Sequence, residues 1–165
     1  MNERETRREQ LTIRPNVLIE VWDTRSGAYT RQRRRNLITT IGVAVVGELL
    51  LRGVRGTSTG FAPSHIALGS GTTAAVIGDA TLEAESYRDI VTVRRGSGAG
   101  ATYASTFQLF LDTGDGNGST FTEAGLFDSP TIGGGALFSR ILFTSVEKTP
   151  SIQLAITWDI NLEGN

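Results

Sequence analysis

The sequence has no cysteine, one histidine and one lysine, and each scarcity excludes a class of chemistry. Without cysteine the chain can form no disulfide, no thiolate metal site and no thiol nucleophile. The single histidine, His65, has no neighbouring group at the spacing of a catalytic pair or a metal-ligand set, so we interpret it as a structural residue. We therefore predict that the protein holds no metal and needs no cofactor.

Long apolar runs are also missing. No run approaches the ~20 residues that a membrane-spanning helix requires. The charged N-terminus lacks the apolar segment of a signal peptide, so we expect no secretory leader and no contact with a membrane. At 165 residues the chain has the size of one domain with a core of its own.

Glycine and arginine are abundant instead. Glycine occupies 20 positions between short apolar runs, which indicates a β protein rich in turns. The net charge of −1 is unevenly distributed, because residues 1–35 contain nine Arg and five acidic residues whereas residues 36–165 carry a net charge of −5. The planar guanidinium of arginine suits lasting contacts with carboxylates across a protein interface.

The first part of the chain predicts an arm, a hairpin and a helix. Residues 1–16 are polar and charged, and we predict an extended basic arm there. Residues 17–35 contain two β-rich runs around an RSG turn, which predicts a hairpin. One apolar stripe predicts an amphipathic helix over about residues 37–52. The stripe consists of Ile38, Ile41, Val45 and Leu49, and the expected N-cap is Asn36 or Thr39.

The remaining strands are predicted between about residues 64 and 162. The last one is the clearest, with apolar residues at every second position: Ile152, Leu154, Ile156, Trp158, Ile160 and Leu162. Strict alternation places one face of this strand in a core. Residues 17–165 therefore predict a single, mainly β domain. Its expected architecture is an antiparallel β-sandwich with one helix, from the N-terminal half of the chain, packed on it.

The segment Asp112–Gly118 has the composition of a calcium-binding loop but not its order. Counting EF-hand positions from Asp112 places Gly114 and Gly116 where oxygen ligands are required, and counting from Asp115 places Thr120 where glycine is required. Asp, Asn and Gly together favour a β-turn. We predict the tip of a hairpin, and weak calcium binding there stays an open alternative.

Two glycine-containing segments match the sequence motifs of functional loops, but the elements around them do not fit those motifs. The GSGTTA segment from Gly69 fits a dinucleotide loop, but no helix follows to hold a pyrophosphate. The GTSTG segment around Ser58 fits a hydrolase elbow, but a helix precedes it and Pro63 follows. Glu83 and Glu85 are interpreted as a solvated strand face rather than a catalytic carboxylate pair. We predict no enzyme and no catalytic residue.

The densest basic patch is RQRRR, over residues 31–35. The rest of the chain is acidic, and Tyr29 is the one aromatic residue near the patch, so a contact with protein is favoured over one with nucleic acid. The candidate interface residues are Arg4, Arg7, Arg8, Arg14, Arg31, Arg33, Arg34 and Arg35.

Seven segments follow one another between about residues 17 and 163: NLITTIG, IALGSGTTA, TLEAESYR, FTEAGLFD, ALFSRILF, EKT and IQLAITWDINL. Their order and spacing resemble the globular domain of tail, baseplate and fibre-attachment proteins of tailed bacteriophages. The resemblance implies a non-enzymatic structural component of the virion, made in the host cytoplasm, that docks to other virion proteins in the tail and forms a homo-oligomer.

Other functions remain as alternatives. A decoration or cement protein on the exterior of the capsid also fits a small β-rich protein with a basic arm. A module that binds host glycans is less favoured, because few aromatic residues are present and Trp158 lies on an apolar face. An enzyme acting through Ser58 or His65 is the third class.

The TEAGLFD segment predicts structural contacts. Its alternation places Glu123, Gly125 and Phe127 on one face of a strand. A buried glutamate needs a partner, and Arg140 and Lys148 are the candidates. The residues for which we predict structural roles are Glu123, Gly125, Phe127, Arg140, Lys148 and Trp158.

Overall fold

The computed structural model describes residues 11–55 and 62–164, with side chains described for 11–47 and 62–164. In chain order the elements are β1 (Leu11–Asp23), β2 (Tyr29–Arg35), β3 (Leu37–Ile38), α1 (Thr40–Arg55), β4 (His65–Gly69), β5 (Glu85–Ile90), β6 (Val93–Ala99), β7 (Thr102–Leu111), β8 (Ser119–Phe127), β9 (Leu137–Lys148) and β10 (Ile152–Gly164). In this part of the chain, no helix combines the length and the apolar character needed to cross a lipid bilayer.

The strands form two antiparallel sheets of five. Sheet A has the order β2-β1-β10-β7-β6, and sheet B has the order β3-β9-β8-β4-β5. The inner faces of the two sheets pack against each other and bury an apolar core. Trp158 lies at 0% exposure in this core, together with Ile19, Phe121 and Leu126. The predicted mainly β sandwich with one helix is confirmed.

Strand β1 begins inside the segment that was predicted as an arm. Residues 11–16 pair with β10, so the prediction of an arm is wrong for them. Pro15 suggested that no strand could begin before it. Its carbonyl oxygen, however, faces Asn36, which lies just beyond the last residue of β2. The N–H group that proline lacks would point to the same side, so no ladder hydrogen bond is lost. Residues 1–10, the rest of the predicted arm, lie outside the described residues.

Helix α1 begins at Thr40, three residues later than predicted. Leu37 and Ile38 pair with β9 as strand β3, so Ile38 belongs to a strand and not to the helical stripe. Thr39 is the N-cap, because its hydroxyl oxygen accepts a hydrogen bond of 3.0 Å from the Gly42 N–H. Gly42 permits a close approach of the helix to β9, since a Cβ there would collide with the carbonyl oxygen of Phe138.

The outer faces of the two sheets differ. Two loops, residues 70–84 and 128–136, lie against the outer face of sheet B. Its side chains Ala67, Phe127 and Leu137 are fully buried there with Leu82 from the first loop. The outer face of sheet A carries no such cover among the described residues.

Candidate interaction surface

The outer face of sheet A is polar and carries arginines at both edges. One row of the register crosses all five strands, and its members are Arg35, Asn16, Asp159, Thr106 and Arg95. At the centre of the row the Thr106 hydroxyl donates a hydrogen bond of 2.6 Å to the Asp159 carboxylate. The row therefore presents one guanidinium group at each edge of the sheet, and the Asn16 amide and the Asp159 carboxylate lie between them.

A groove of about 630 Å³ lies beside β2 on this face. Its lining includes Asn16, Leu18, Arg33, Arg35, Asp159 and Asn161. Amide and guanidinium groups in such a groove donate hydrogen bonds to carboxylates, and Asp159 accepts from basic or amide groups. Arginines were the only residues of this groove predicted from the sequence. Asn16, Asp159 and Asn161 were missed, although the alternation of β10 already places residues 159 and 161 on its polar face.

Strand alternation divides the predicted arginine cluster. Arg31, Arg33 and Arg35 are exposed on the outer face, and none of them has a carboxylate within 4 Å among the described residues. Arg34 points to the opposite side and donates hydrogen bonds of 3.1 Å to Gln32 and to Thr144 of β9. Arg34 is therefore a link between the sheets, and since it also lines the groove, its contact with a partner stays a prediction.

The other predicted interface arginines precede the cluster. Arg14 is 65% exposed and forms an ion pair of 3.3 Å with Glu163 of β10. An exposed pair of this kind is worth less than about 1 kcal/mol, so Arg14 is still accessible to a partner. Arg4, Arg7 and Arg8 lie outside the described residues.

Glu123 and Arg140 form a buried ion pair, so Arg140 is the partner of the two candidates that the sequence left open. The Arg140 Nη2 atom lies 2.9 Å from Glu123 Oε2, and both side chains are nearly inaccessible. Glu123 also accepts hydrogen bonds from the backbone N–H groups of Gly71, Glu83 and Ala84. Desolvation alone would lower the pKa of Arg140, but hydrogen bonds to Asp79 and Glu123 outweigh it, so that its pKa is raised above the usual value.

The backbone N–H groups of the GSGTTA segment bind two carboxylates of the protein itself, those of Glu83 and Glu123. The Thr72 and Thr73 N–H groups donate hydrogen bonds of 2.8 and 2.7 Å to Glu83, and the Gly71 N–H donates to Glu123. These hydrogen bonds lower the pKa of Glu83, with those from Thr73 as the main cause. Glu83 therefore closes this loop while its side chain stays 41% exposed, which agrees with its predicted solvated position.

Gly125 and Phe127 belong to the buried outer face of sheet B. A Cβ at Gly125 would lie within 2.9 Å of Phe127, Leu137 and Leu82, so only glycine fits there. The Arg88 guanidinium lies 3.7 Å from the centre of the Phe127 ring. Sequence reasoning missed Arg88, because its contacts with Phe127 and with the 128–136 loop join segments that are far apart in the chain.

Arg88 and Glu85 form a second buried pair. The distance from Arg88 Nε to Glu85 Oε1 is 2.6 Å, and the Glu85 side chain is 5% exposed. Arg88 also donates to the carbonyl oxygens of Ser129 and Gly134, which attaches the 128–136 loop to sheet B. The predicted solvated position of Glu85 is therefore wrong.

Lys148 lies beneath the Asp112–Gly118 turn rather than beside Glu123. Its ammonium group donates hydrogen bonds to Asn117 Oδ1 at 3.1 Å and to the Thr149 carbonyl oxygen. Burial lowers its pKa, and the charges of Asp115 and Asp112 partly oppose this effect. Lys148 thus supplies a cation to the turn.

The oxygen atoms of the turn have protein donors. Asp112 Oδ1 accepts from the Thr113 N–H and from Gln153, and Asp115 Oδ2 accepts from the Asp112 N–H. Gly116 and Gly118 have positive φ angles of 61° and 83°, as the predicted turn requires. Nowhere in residues 11–55 and 62–164 do three His, Cys, Asp or Glu side chains group as metal ligands would.

His65 stands at the start of β4. Its Nδ1 atom lies 2.8 Å from the hydroxyl of Ser64, which also donates to the Asp128 carbonyl oxygen. Burial, and to a lesser extent the charge of Arg88, lowers the pKa of His65. Ser58, the other candidate for an enzymatic role, lies outside the described residues.

Comparison with protein-family models, with curated protein sequences and with solved structures finds no match to this chain.

Proposed function

We propose that this protein is a non-enzymatic structural component of a tailed-phage virion, made in the host cytoplasm and assembled as a homo-oligomer. It docks to a neighbouring virion protein in the tail through the outer face of sheet A. A position on the capsid exterior as a decoration protein is the alternative. The order of the phage-like sequence segments supports the virion assignment.

The observation that carries the docking surface is the asymmetry between the two sheets. Buried ion pairs hold two loops over the outer face of sheet B, whereas the outer face of sheet A presents Arg31, Arg33 and Arg35 without carboxylate partners among the described residues. A partner with exposed carboxylates would bind these guanidinium groups through paired hydrogen bonds. The intervening Asp159 disfavours the continuous negative charge of a nucleic-acid backbone.

The test is co-sedimentation of the purified protein with tail tubes and, separately, with empty heads. We expect binding to tails, and we expect Arg33→Glu combined with Arg35→Glu to abolish it. Arg25→Glu is the control, because it reverses a charge at the exposed RSG turn and leaves Arg31, Arg33 and Arg35 intact. Binding to heads alone would support the decoration role instead, and binding to neither would contradict the proposal.

A glycan-binding role has one observation in its favour. Trp22 and Tyr29 lie side by side on the outer face of sheet A, with ring centroids 5.4 Å apart. Sugar rings stack on exposed aromatic faces of this kind. The Tyr29 hydroxyl, however, donates a hydrogen bond of 2.6 Å to Glu20, which reduces its freedom to contact a ligand. Binding on a glycan array that is lost in Trp22→Ala would establish this role.

A further inference from the structure

Lys148 is the one lysine of the chain, beside fifteen arginines. Its side chain lies at 0% exposure, on the same side of β9 as the core residue Val146. A guanidinium group stays protonated in proteins, whereas a buried ammonium group can lose its proton and become a nucleophile. The chain therefore has a lysine, and not another arginine, at a buried position where this chemistry is available.

The ammonium group of Lys148 contacts neutral acceptors. Its Nζ atom donates hydrogen bonds of 3.1 Å to Asn117 Oδ1 and 3.4 Å to the Thr149 carbonyl oxygen. Among the described side chains, no carboxylate lies within 4 Å of this atom. An ammonium group has three protons to donate, and a buried charge usually has an ion-pair partner. The surroundings therefore suit a neutral nitrogen better than a charged one.

The Asn117 side chain is held against Lys148 by hydrogen bonds on both sides. Its Nδ2 atom donates one of 2.7 Å to the Thr113 carbonyl oxygen. The next residue, Gly118, donates its N–H to the Lys148 carbonyl oxygen at 2.9 Å. The Asn117 Cγ atom lies one C=O bond, about 1.2 Å, from the oxygen that Lys148 contacts. A shift of less than about 1 Å would bring Nζ to the ~3–3.5 Å from Cγ at which an attack begins.

Two aspartates of the same turn, Asp112 and Asp115, lie close to this pair and are exposed. Their charges act on Lys148, that of Asp115 more strongly. Burial has the larger effect and lowers the pKa of Lys148, which favours the neutral amine that a nucleophile requires. A carboxylate near the amine can take the proton that the amine must lose before it attacks.

We propose that an amide bond joins the side chains of Lys148 and Asn117 and that the folded chain forms it by itself. Asp115 takes a proton from the ammonium group, and the neutral amine attacks the Asn117 Cγ atom. A bond forms between Nζ and Cγ, and the bond between Cγ and Nδ2 breaks. Nδ2 takes one proton from the attacking nitrogen and leaves as ammonia, which then collects the proton from Asp115 and becomes ammonium. The reaction needs no oxidant and no cofactor.

The amide bond ties the turn between the two sheets to β9. Residues 112–118 connect β7 of sheet A with β8 of sheet B, and the bond closes a covalent ring from residue 117 to residue 148. It also replaces a buried charge with a neutral group that has one N–H to satisfy. Lys148 does not titrate in such a chain, so a pH dependence due to Lys148 belongs to chains without the bond. The bond is independent of the docking surface on sheet A.

The mass of the purified full chain tests the bond. We expect mass spectrometry of the denatured wild type to give a mass lower than that of the sequence by about 17 Da, the mass of one ammonia molecule. Lys148→Arg keeps a cation beneath the turn but supplies no nucleophile, and Asn117→Ala removes the reacting carbonyl, so both variants should have their full mass. Asn16→Ala, which replaces an exposed asparagine of sheet A, is the control and should keep the deficit.

Digestion with trypsin locates the bond. Trypsin cleaves after arginine and lysine, so a chain without the bond releases residues 96–140, 141–148 and 149–165 as separate fragments. The amide prevents cleavage after Lys148 and joins residues 96–140 to residues 141–165. A succinimide between Asn117 and Gly118 also loses ammonia, but it would form in Lys148→Arg as well and would leave the fragments separate. A wild type of full sequence mass, or a deficit that persists in Lys148→Arg, would overturn the proposal.

Discussion

At the scale of single residues, the buried charges serve the loops rather than the docking face. Glu123 accepts hydrogen bonds from three backbone N–H groups and from Arg140, and Arg140 continues to Asp79 and Thr73. A buried ion pair adds little net stability by itself, but removing one partner leaves the other charge unpaired. These residues therefore determine whether the 70–84 loop keeps its shape.

Replacing Glu123 tests this role. We expect Glu123→Ala to lower the free energy of unfolding by about 3–5 kcal/mol, because Arg140 and three backbone donors lose their acceptor. Glu147→Ala, at an exposed position of β9, should change it by less than about 0.5 kcal/mol. Urea unfolding followed by tryptophan fluorescence measures both. If Glu123→Ala and Glu147→Ala lowered the free energy of unfolding equally, the Glu123–Arg140 pair would not hold the 70–84 loop in place.

As a free amine, Lys148 gives a prediction that depends on pH. Burial lowers its pKa in the folded protein, whereas in the unfolded chain its pKa is about 10.4. Between those two values the unfolded chain binds more protons, so the contribution of Lys148 to stability increases as pH rises through that window. The difference in unfolding free energy between the wild type and Lys148→Met should therefore grow in favour of the wild type from neutral pH toward pH ~10. A difference that shrinks with pH would contradict this assignment.

At the scale of elements, β2 combines two roles on its two sides. Arg31, Arg33 and Arg35 face outward and also protect an edge strand from unwanted pairing. On the opposite side Gln32 accepts a hydrogen bond of 2.9 Å from the Thr144 N–H and donates one of 3.1 Å to its carbonyl oxygen. The Gln32 amide therefore imitates a strand backbone and joins the edge of sheet A to β9 of sheet B.

Removing this amide should loosen the edge. We expect Gln32→Ala to lower the free energy of unfolding by about 1–2 kcal/mol, as the loss of a paired polar contact predicts. Hydrogen exchange at the Thr144 N–H should become faster in the same variant. Arg33→Ala on the outward side is the control and should leave both measurements unchanged. Unaltered exchange at Thr144 in Gln32→Ala would argue against a link between the sheets.

At the scale of the whole molecule, stability and docking are assigned to different faces. The loops of sheet B use most of the buried ion pairs, whereas the side chains of Arg33 and Arg35 in the groove on sheet A have no ion-pair partner among the described residues. Substitution on sheet A can therefore remove a binding surface without weakening the fold.

Because stability and docking are assigned to different faces, docking should be lost without a loss of stability when the arginines of sheet A are replaced. Arg33→Glu with Arg35→Glu should abolish docking while its unfolding free energy stays within about 0.5 kcal/mol of the wild type, since neither side chain forms an ion pair among the described residues. Circular dichroism and urea unfolding test the second part, and co-sedimentation tests the first. A large loss of stability would show that these arginines contribute to the fold, and the docking result could then not be assigned to the surface.

Much of the fold was predictable because strand alternation is a local signal. The pattern of β10 identified its buried face and placed Trp158 in the core, and the run of arginines identified a basic strand. Burial of Glu123 implied a cationic partner, although the choice between Arg140 and Lys148 stayed open. The start of β1 was missed because Pro15 is tolerated only where the neighbouring strand has ended, a fact of register that composition does not contain.

The sequence alone determined which residues alternate, where the turns lie and how charge is distributed along the chain, since each of these depends on near neighbours. The tertiary structure decided which arginines face outward, that Glu123 pairs with Arg140 and Lys148 supports the turn, and which sheet is left uncovered. Those outcomes depend on contacts between segments far apart in the chain. Such contacts follow from strand register and loop closure, and a one-residue shift of register would exchange the faces.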